Sequence, residues 1–211
     1  MSALQRGRFI TLEGGEGAGK TTAMQVVIDW LEQDGRTVVR SREPGGTRAA
    51  ERIREVLLDP STGELDPLSE LLLMFAARVE NLVHVIRPTL AKGQDVVCDR
   101  FTDASAAYQG GGRELGPEPI RRLAGLVHPD LAPDLTLLLD VPVAVGLARI
   151  RNRTTGPDRI EQAREGFLER VRKAYLAMAE AEPERFCVID ASQPLDKVRA
   201  DIQRALDRRL R

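Results

Sequence analysis

The sequence has little of what marks secreted, membrane-bound or nucleic-acid-binding proteins. Its 211 residues include only two cysteines, Cys98 and Cys187, both in apolar runs, so we expect no disulfide framework and a reduced, cytoplasmic protein. No apolar run has the length of a signal peptide or of a membrane span. The 31 Lys and Arg residues nearly balance the 32 Asp and Glu residues, which argues against a nucleic acid or a membrane as partner. Any site for a polyanion must therefore be a local cluster of charge.

Short apolar segments alternate along the chain with longer segments of helical periodicity. The short segments are RFITLEG, TVVRSRE, DVVCDR, DLTLLLD and FCVID. Because VVCD and LTLLLD have no polar face, we expect strands covered by helices on both sides. The pattern predicts one α/β domain over residues 1–211, with an open parallel five-stranded sheet and helices on both faces.

Helical periodicity covers seven segments, and the first residues of one of them include a capping pair, Asp66 and Pro67. The predicted helices span residues 20–33, 47–57, 67–91, 117–127, 143–151, 161–181 and 194–209. Glycine and proline cluster in EGGEGAG, EPGG, QGGG and TTGP. We interpret these clusters as loops at strand ends, where open α/β sheets bind ligands.

A phosphate-binding loop is the strongest motif in the sequence. Residues 14–21 read GGEGAGKT, directly after a predicted strand and at the start of a predicted helix, so the predicted five-stranded sheet is of the P-loop NTPase type. In such a loop, backbone N–H groups cradle the phosphates of ATP, Lys20 reaches the β- and γ-phosphates, and Thr21 offers a hydroxyl to Mg²⁺. Asp99, at the end of VVCD, is the candidate second metal residue. The predicted nucleotide-binding residues are Gly14, Gly15, Glu16, Gly17, Ala18, Gly19, Lys20, Thr21 and Thr22.

Missing motifs narrow the class of P-loop protein. The only asparagines are Asn81 and Asn152, and neither precedes a lysine, so the guanine motif N-K-x-D is absent. No aspartate is followed three residues later by glycine, so the switch motif D-x-x-G is absent too. A GTPase of the common type is therefore excluded.

Arginines at loop and helix positions indicate a second anion besides ATP. Among them are Arg42, Arg54, Arg78, Arg100, Arg113, Arg149, Arg151, Arg153 and Arg159. A nucleoside monophosphate would need such residues, and its dianionic phosphate is a nucleophile that requires no general base. Catalysis would then consist of positioning and charge neutralisation.

The ordered series of motifs resembles the bacterial thymidylate kinase family over essentially the whole chain. The motifs are FITLEGGEGAGKTT, REPGGT, LLLMFAARVENL, DRFTDASAAYQGGGR, PDLTLLLDVP, DRIEQ and DASQPL. The resemblance implies phosphoryl transfer from Mg-ATP to dTMP. It also implies a homodimer, for which the segment 67–91 is the candidate interface. Another nucleoside monophosphate kinase, or a P-loop ATPase or nucleotide-binding module, are the alternatives.

The same resemblance assigns the acceptor site. It implies a cis Glu43–Pro44 bond in the pocket wall with Arg54 behind it, a base carbonyl bound by Arg78, and an aromatic cover that looks like Phe75, although Met74 holds the position four residues before the arginine. Relatives bind the acceptor phosphate with the residue that corresponds to Arg100. The remaining implied contacts are Ser105 and Gln109 on the thymine edge and Tyr108 against the deoxyribose.

A lid at about residues 149–160 is the last implied element. The segment ARIRNRTTGPDRIE resembles the subclass in which a lid arginine, here Arg149, Arg153 or Arg159, reaches the transferring phosphate. Glu16 in the P-loop is expected beside the acceptor sugar. The predicted catalytic residues are Lys20, Glu16, Arg100, Arg153 and Arg149.

Overall fold

The computed structural model describes residues 6–151 and 165–211, and within these ranges five strands form one parallel sheet. The strands are β1 Phe9–Glu13, β2 Val38–Arg42, β3 Asp95–Asp99, β4 Leu135–Asp140 and β5 Phe186–Asp190. They lie in the order β2-β3-β1-β4-β5, and all four neighbouring pairs are parallel. The predicted open five-stranded parallel sheet is confirmed.

Most helices follow the sequence pattern, but the single helix predicted over residues 67–91 is divided by a π-helical turn. They are α1 Lys20–Gln33, α2 Arg48–Leu58, α3 Pro67–Asn81, α4 Arg87–Ala91, α5 Thr102–Ser105, α6 Pro117–Val127, α7 Val143–Arg151, α8 Glu165–Ala181 and α9 Leu195–Leu210. A short 3₁₀ turn covers Pro60–Thr62, and a π-helical turn over Leu82–Ile86 joins α3 to α4. As predicted, Asp66 caps α3, because its carboxylate accepts the N–H groups of Leu68 and Ser69.

The QGGG cluster is not the loop that its composition predicted. It ends a π-helical segment, Ala106–Gly112, that continues α5. Gly111 and Gly112 face α8 so closely that a Cβ atom on Gly112 would lie 2.5 Å from the ring of Phe167, and one on Gly111 would lie 2.7 Å from Ala174. These glycines therefore permit close packing of two helices.

Strand residues alternate between two apolar layers, which explains why helices cover both faces of the sheet. Ile10 and Leu12 pack with residues of α1 and α9, whereas Phe9 of the same strand packs with the segment that ends in α4. Of the two cysteines, Cys98 is buried and Cys187 is partly buried. None of the helices in the described ranges combines the length and apolarity needed to cross a membrane.

Candidate active site

The glycine-rich loop lies between the central strand β1 and helix α1, as the motif predicted. Gly14, Gly17 and Gly19 have φ values of 134°, 71° and 86°, which favour glycine. A Cβ atom on Gly14 would lie 2.3 Å from the carbonyl oxygen of Leu139, so the loop also needs glycine for close approach to β4. The loop leads directly into the N-terminus of α1, a favourable place for phosphate.

Lys20 begins helix α1 and folds back over the loop. Its Nζ donates to the carbonyl oxygens of Gly14 and Gly15, both at 3.3 Å. Burial lowers the pKa of Lys20, and the positive charge of Arg100 lowers it further. The negative charge of a phosphate beside Lys20 would oppose this shift and favour the charged ammonium.

A cavity of about 790 Å³ opens at the carboxyl ends of β1, β2 and β3 and brings most of the predicted site together. The predicted residues on its wall are Glu16, Gly17, Ala18, Gly19, Lys20, Thr21, Thr22, Glu43, Pro44, Arg54, Arg78, Asp99, Arg100, Ser105, Tyr108 and Gln109. Gly14 and Gly15 lie just behind this wall, at a small apolar recess against β4. The cavity therefore joins the phosphate loop to the predicted acceptor site.

The side of the cavity formed by the predicted acceptor residues Arg78, Ser105, Tyr108 and Gln109 is called the acceptor wall below. On this wall, the side chain of Arg78 of α3 is held by several hydrogen bonds. It is 2% exposed, its Nε donates to Glu43 at 2.6 Å, and its Nη2 donates to the carbonyl oxygen of Phe101 and to Ser105 Oγ. The remaining nitrogen, Nη1, is buried and has no hydrogen-bond partner among the described residues. Burial raises the pKa of Glu43, and the hydrogen bond and charge of Arg78 oppose that shift. One arginine donor thus remains for a ligand carbonyl group.

The neighbouring wall residues come from two other elements. The Glu43–Pro44 bond is cis, as the resemblance implied, and the Pro44 carbonyl oxygen accepts a hydrogen bond from Arg54 at 2.9 Å. On the opposite side, Gln109 is 1% exposed, and its Nε2 donates to Glu70 while its Oε1 has no partner among the described residues. The wall therefore holds one unpaired donor, from Arg78, and one unpaired acceptor, from Gln109.

Of Met74 and Phe75, the two candidates for the cover of the base, only one lines the cavity. Met74 lines the cavity, whereas Phe75 packs with Leu71 and Ile120 and supports the guanidinium of Arg78, 4.4 Å from its ring centroid. The reason is helical geometry, because consecutive residues of α3 point about 100° apart. Of the two side chains that the sequence left open as the cover of the base, Met74 therefore borders the cavity and Phe75 does not.

Arg100 connects the P-loop to the acceptor wall. Its Nη2 donates to Glu16 at 2.6 Å and to the hydroxyl of Tyr108 at 3.0 Å, and its Nη1 donates to the carbonyl oxygen of Gly14. The Tyr108 hydroxyl also donates to Glu16 at 2.7 Å. Arg100 has φ of 71°, a conformation that is costly outside glycine and that clusters at functional sites.

Glu13 and Tyr175, which the sequence analysis did not identify, support Arg100. The carboxylate of Glu13 accepts the Phe101 N–H and the Tyr175 hydroxyl, both at 2.7 Å, and Arg100 in turn donates to that hydroxyl at 3.3 Å. Burial raises the pKa of Glu13 to about 8, and the nearby charge of Asp103 adds to the shift. The available signal was an acidic residue that ends the apolar segment FITLE.

Thr21 and Asp99 are compatible with a bound magnesium ion. Both line the large cavity, and Asp99 Oδ1 is buried without a hydrogen-bond partner among the described residues. A carboxylate oxygen and a hydroxyl suit Mg²⁺, which takes few protein ligands and completes its shell with water and substrate phosphate. The donor set therefore fits the predicted metal.

Arg149 lies beside a second, smaller cavity of about 260 Å³ on the other flank of the P-loop. Its guanidinium donates to the carbonyl oxygens of Gly17 and Ala191, so it is not on the wall of the large cavity. That Arg149 reaches the transferring phosphate stays a prediction. Arg153 and Arg159, the other lid candidates, lie outside the described residues.

A glycine-rich loop between a central parallel strand and a helix, open to a cavity with arginines on its wall, defines a P-loop nucleotide-binding protein. A family model described as thymidylate kinase matches residues 12–202. The chain therefore belongs to the thymidylate kinase family.

Individual relatives agree with the family match. A thymidylate kinase of Chromohalobacter salexigens is 56% identical over 205 residues, which cover 97% of each chain. One of Alkalilimnicola ehrlichii is 55% identical over 203 residues, which cover 96% of this chain and 94% of the relative. The crystal structure of thymidylate kinase from Ehrlichia chaffeensis is similar with a TM-score of 0.77 and 34% identity, over 96% of this chain and 99% of that one.

Proposed function

We propose that this protein is a thymidylate kinase that transfers the γ-phosphoryl group of Mg-ATP to dTMP, which gives dTDP and ADP. The observation that carries the proposal is that one cavity is lined both by Lys20 and Thr21 of the P-loop and by Arg78 and Gln109 of the predicted acceptor site. A donor phosphate and an acceptor nucleotide can therefore meet without an intervening solvent layer.

The unpaired wall atoms support thymine as the acceptor base. Arg78 Nη1 can donate to a ring carbonyl, and Gln109 Oε1 can accept from a ring N–H. Thymine carries a carbonyl next to its N3–H, whereas cytosine carries an amino group next to an unprotonated N3. A cytosine ring would leave both buried wall atoms without partners, which is costly, so discrimination against cytosine should be large.

The charged residues of the cavity support phosphoryl transfer. Lys20 and Arg100 lie on the same cavity wall and would bind the donor and acceptor phosphates respectively. Because the acceptor oxygen is already anionic, no side chain needs to remove a proton. Glu16 Oε1 forms an ion pair with Arg100 Nη2 at 2.6 Å and would fix the direction of the guanidinium.

Thr21 and Asp99 would hold Mg²⁺, Asp99 directly or through water, and the bound ion would neutralise charge on the donor phosphates. Tyr108 is 5% exposed and lines the cavity, where its ring would exclude a ribose 2′-hydroxyl. The second cavity, with Arg149 and Gln193 on its wall, has the position and size for the base of ATP beside the P-loop. Each assignment concerns a residue whose side chain or backbone borders one of the two cavities.

The domain organisation, cellular location and oligomeric state of the protein are proposed as well. We propose a single domain over residues 1–211, a cytoplasmic location, and a homodimer formed through α3. On α3 and the turn that follows it, Leu68, Leu72, Val79 and Val83 are between 39% and 54% exposed and recur at spacings that place them on one helical face. A second copy of the chain would cover this stripe.

Coupled ADP release from the purified protein tests the function. Mg-ATP is supplied with dTMP, dUMP, dGMP, dCMP or no acceptor. We expect fast release with dTMP, slower release with dUMP, and little with dCMP or without acceptor. Fastest turnover on dGMP would assign a different monophosphate kinase, and equal release without acceptor would assign an ATPase.

A further inference from the structure

A buried cluster behind the acceptor wall contains Glu70, Gln109 and Arg113. Glu70, in the first turn of α3, is 1% exposed and does not line the cavity. Its Oε1 accepts the Gln109 Nε2 donor at 2.8 Å, and its Oε2 accepts Arg113 Nη2 at 3.1 Å. Arg113 in turn stacks on Phe167, with 5.0 Å between guanidinium carbon and ring centroid. The cluster joins α3 to the segment that carries Gln109.

The chemistry of Glu70 decides which end of the Gln109 amide faces the cavity. The two ends of an amide have nearly the same shape, so only hydrogen-bond partners determine its orientation. A carboxylate paired with a guanidinium can accept but cannot donate. Gln109 must therefore present its NH₂ group to Glu70, and its oxygen, which has no partner among the described residues, is left for the ligand.

The orientation of this amide matters because Arg78 supplies the other half of the pattern. With the amide oxygen turned away from Glu70, the lining residues hold one unpaired buried donor and one unpaired buried acceptor, the complement of a carbonyl beside a ring N–H. With the amide reversed, the wall would offer two donors, and the NH₂ group would meet the N3–H of thymine. The reversed amide would instead donate a hydrogen bond to the unprotonated N3 of cytosine.

We propose that Glu70 is a positioning residue that selects the acceptor base by fixing the orientation of the Gln109 amide. This inference rests on the proposed function, since it concerns the same acceptor site. It assigns a specificity role to a residue that makes no contact with the cavity, and it makes Arg113 the residue that keeps Glu70 an acceptor.

The variant Glu70→Gln tests the proposal. The new amide is expected to give its oxygen to Arg113 and its NH₂ group to Gln109, which would reverse the Gln109 amide. The measurement is competition between dTMP and dCMP for one enzyme sample, so that the ratio of their kcat/KM values does not depend on the fraction that is folded. We expect the preference for dTMP over dCMP to fall by about 100-fold or more. An unchanged ratio would overturn the proposal.

Three controls separate orientation from general damage. Glu70→Asp keeps an acceptor-only group and should retain the wild-type ratio even if turnover falls. Glu80→Gln, farther along the same helix and partly exposed, should change nothing. The dTMP to dUMP ratio should stay constant in every variant, because both bases carry N3–H.

A double variant tests the route of the effect. In Gln109→Leu there is no amide to orient, so adding Glu70→Gln should not change the dTMP to dCMP ratio further. An equal effect of Glu70→Gln in both backgrounds would show that it does not act through Gln109. If the wild-type protein itself fails to prefer dTMP, the proposed function fails rather than this inference.

Discussion

Replacement of Glu13 by glutamine should change the way in which stability depends on pH. Glu13 is fully buried at the end of β1, and its carboxylate accepts the Phe101 N–H and the Tyr175 hydroxyl. Glutamine has nearly the same shape, can accept the Phe101 N–H through its oxygen and can donate to the Tyr175 oxygen. The substitution therefore removes the titration while it preserves most of the packing.

The magnitude follows from the pKa of Glu13, which burial raises from 4.5 to about 8. Between these values the native state binds the proton of Glu13 more tightly than the unfolded state, so the contribution of Glu13 to native stability is fully present below pH 4.5 and is lost as the pH rises through 8. One pKa unit corresponds to about 1.4 kcal/mol. From pH 5.5 to pH 8.5 the wild-type protein should lose about 3 kcal/mol that the Glu13→Gln variant keeps.

Urea unfolding at pH 5.5 and pH 8.5, at one protein concentration, measures the difference. The variant should gain on the wild type by about 3 kcal/mol between the two conditions. The control is Glu55→Gln, whose side chain is 67% exposed and should give the same difference at both pH values. The reasoning is refuted if the difference in stability between variant and wild type is the same at both pH values, or if the variant loses stability relative to the wild type as the pH rises.

Three other substitutions test separate parts of the molecule. Lys20→Met should lower kcat by about 100-fold or more while calorimetry still detects dTMP binding, and normal turnover would remove Lys20 from the phosphate site. Gly112→Ala should cost about 1 to 3 kcal/mol in urea unfolding, because its Cβ would meet Phe167 at 2.5 Å; Gly125→Ala, with no atom within 4 Å of the new Cβ, is the control. Leu72→Glu should give monomers in sedimentation, and an unchanged dimer would place the interface elsewhere.

The strands and the phosphate loop were predictable because residues close together in the sequence determine them. VVCD and LTLLLD have no polar face, and GGEGAGKT directly follows FITLE, so strand, loop and helix were all set by neighbours in sequence. The same was true of the start of α3, where Asp66 accepts two N–H groups of the first turn. Local chemistry was sufficient in each case.

The sequence was misleading or left a choice open where packing between distant segments decided the outcome. The glycines of QGGG suggest a loop, but α8 lies against them and makes small residues necessary within a helix. Phe75 and Met74 are adjacent in sequence, and only the direction of α3 relative to the cavity determines which of them lines it. Glu13 and Tyr175 are 162 positions apart, so their contact left no local signal.

The strand order also has a consequence for how substrate preferences could change. Because β1 is central, the acceptor wall is built from chain between β2 and α6, whereas the smaller cavity uses the end of α7 and the turn after β5. The two regions share only the P-loop. Exchange of residues 191–195 with another sequence should therefore alter the choice among nucleoside triphosphates and leave the choice of monophosphate intact, so the two preferences can evolve independently.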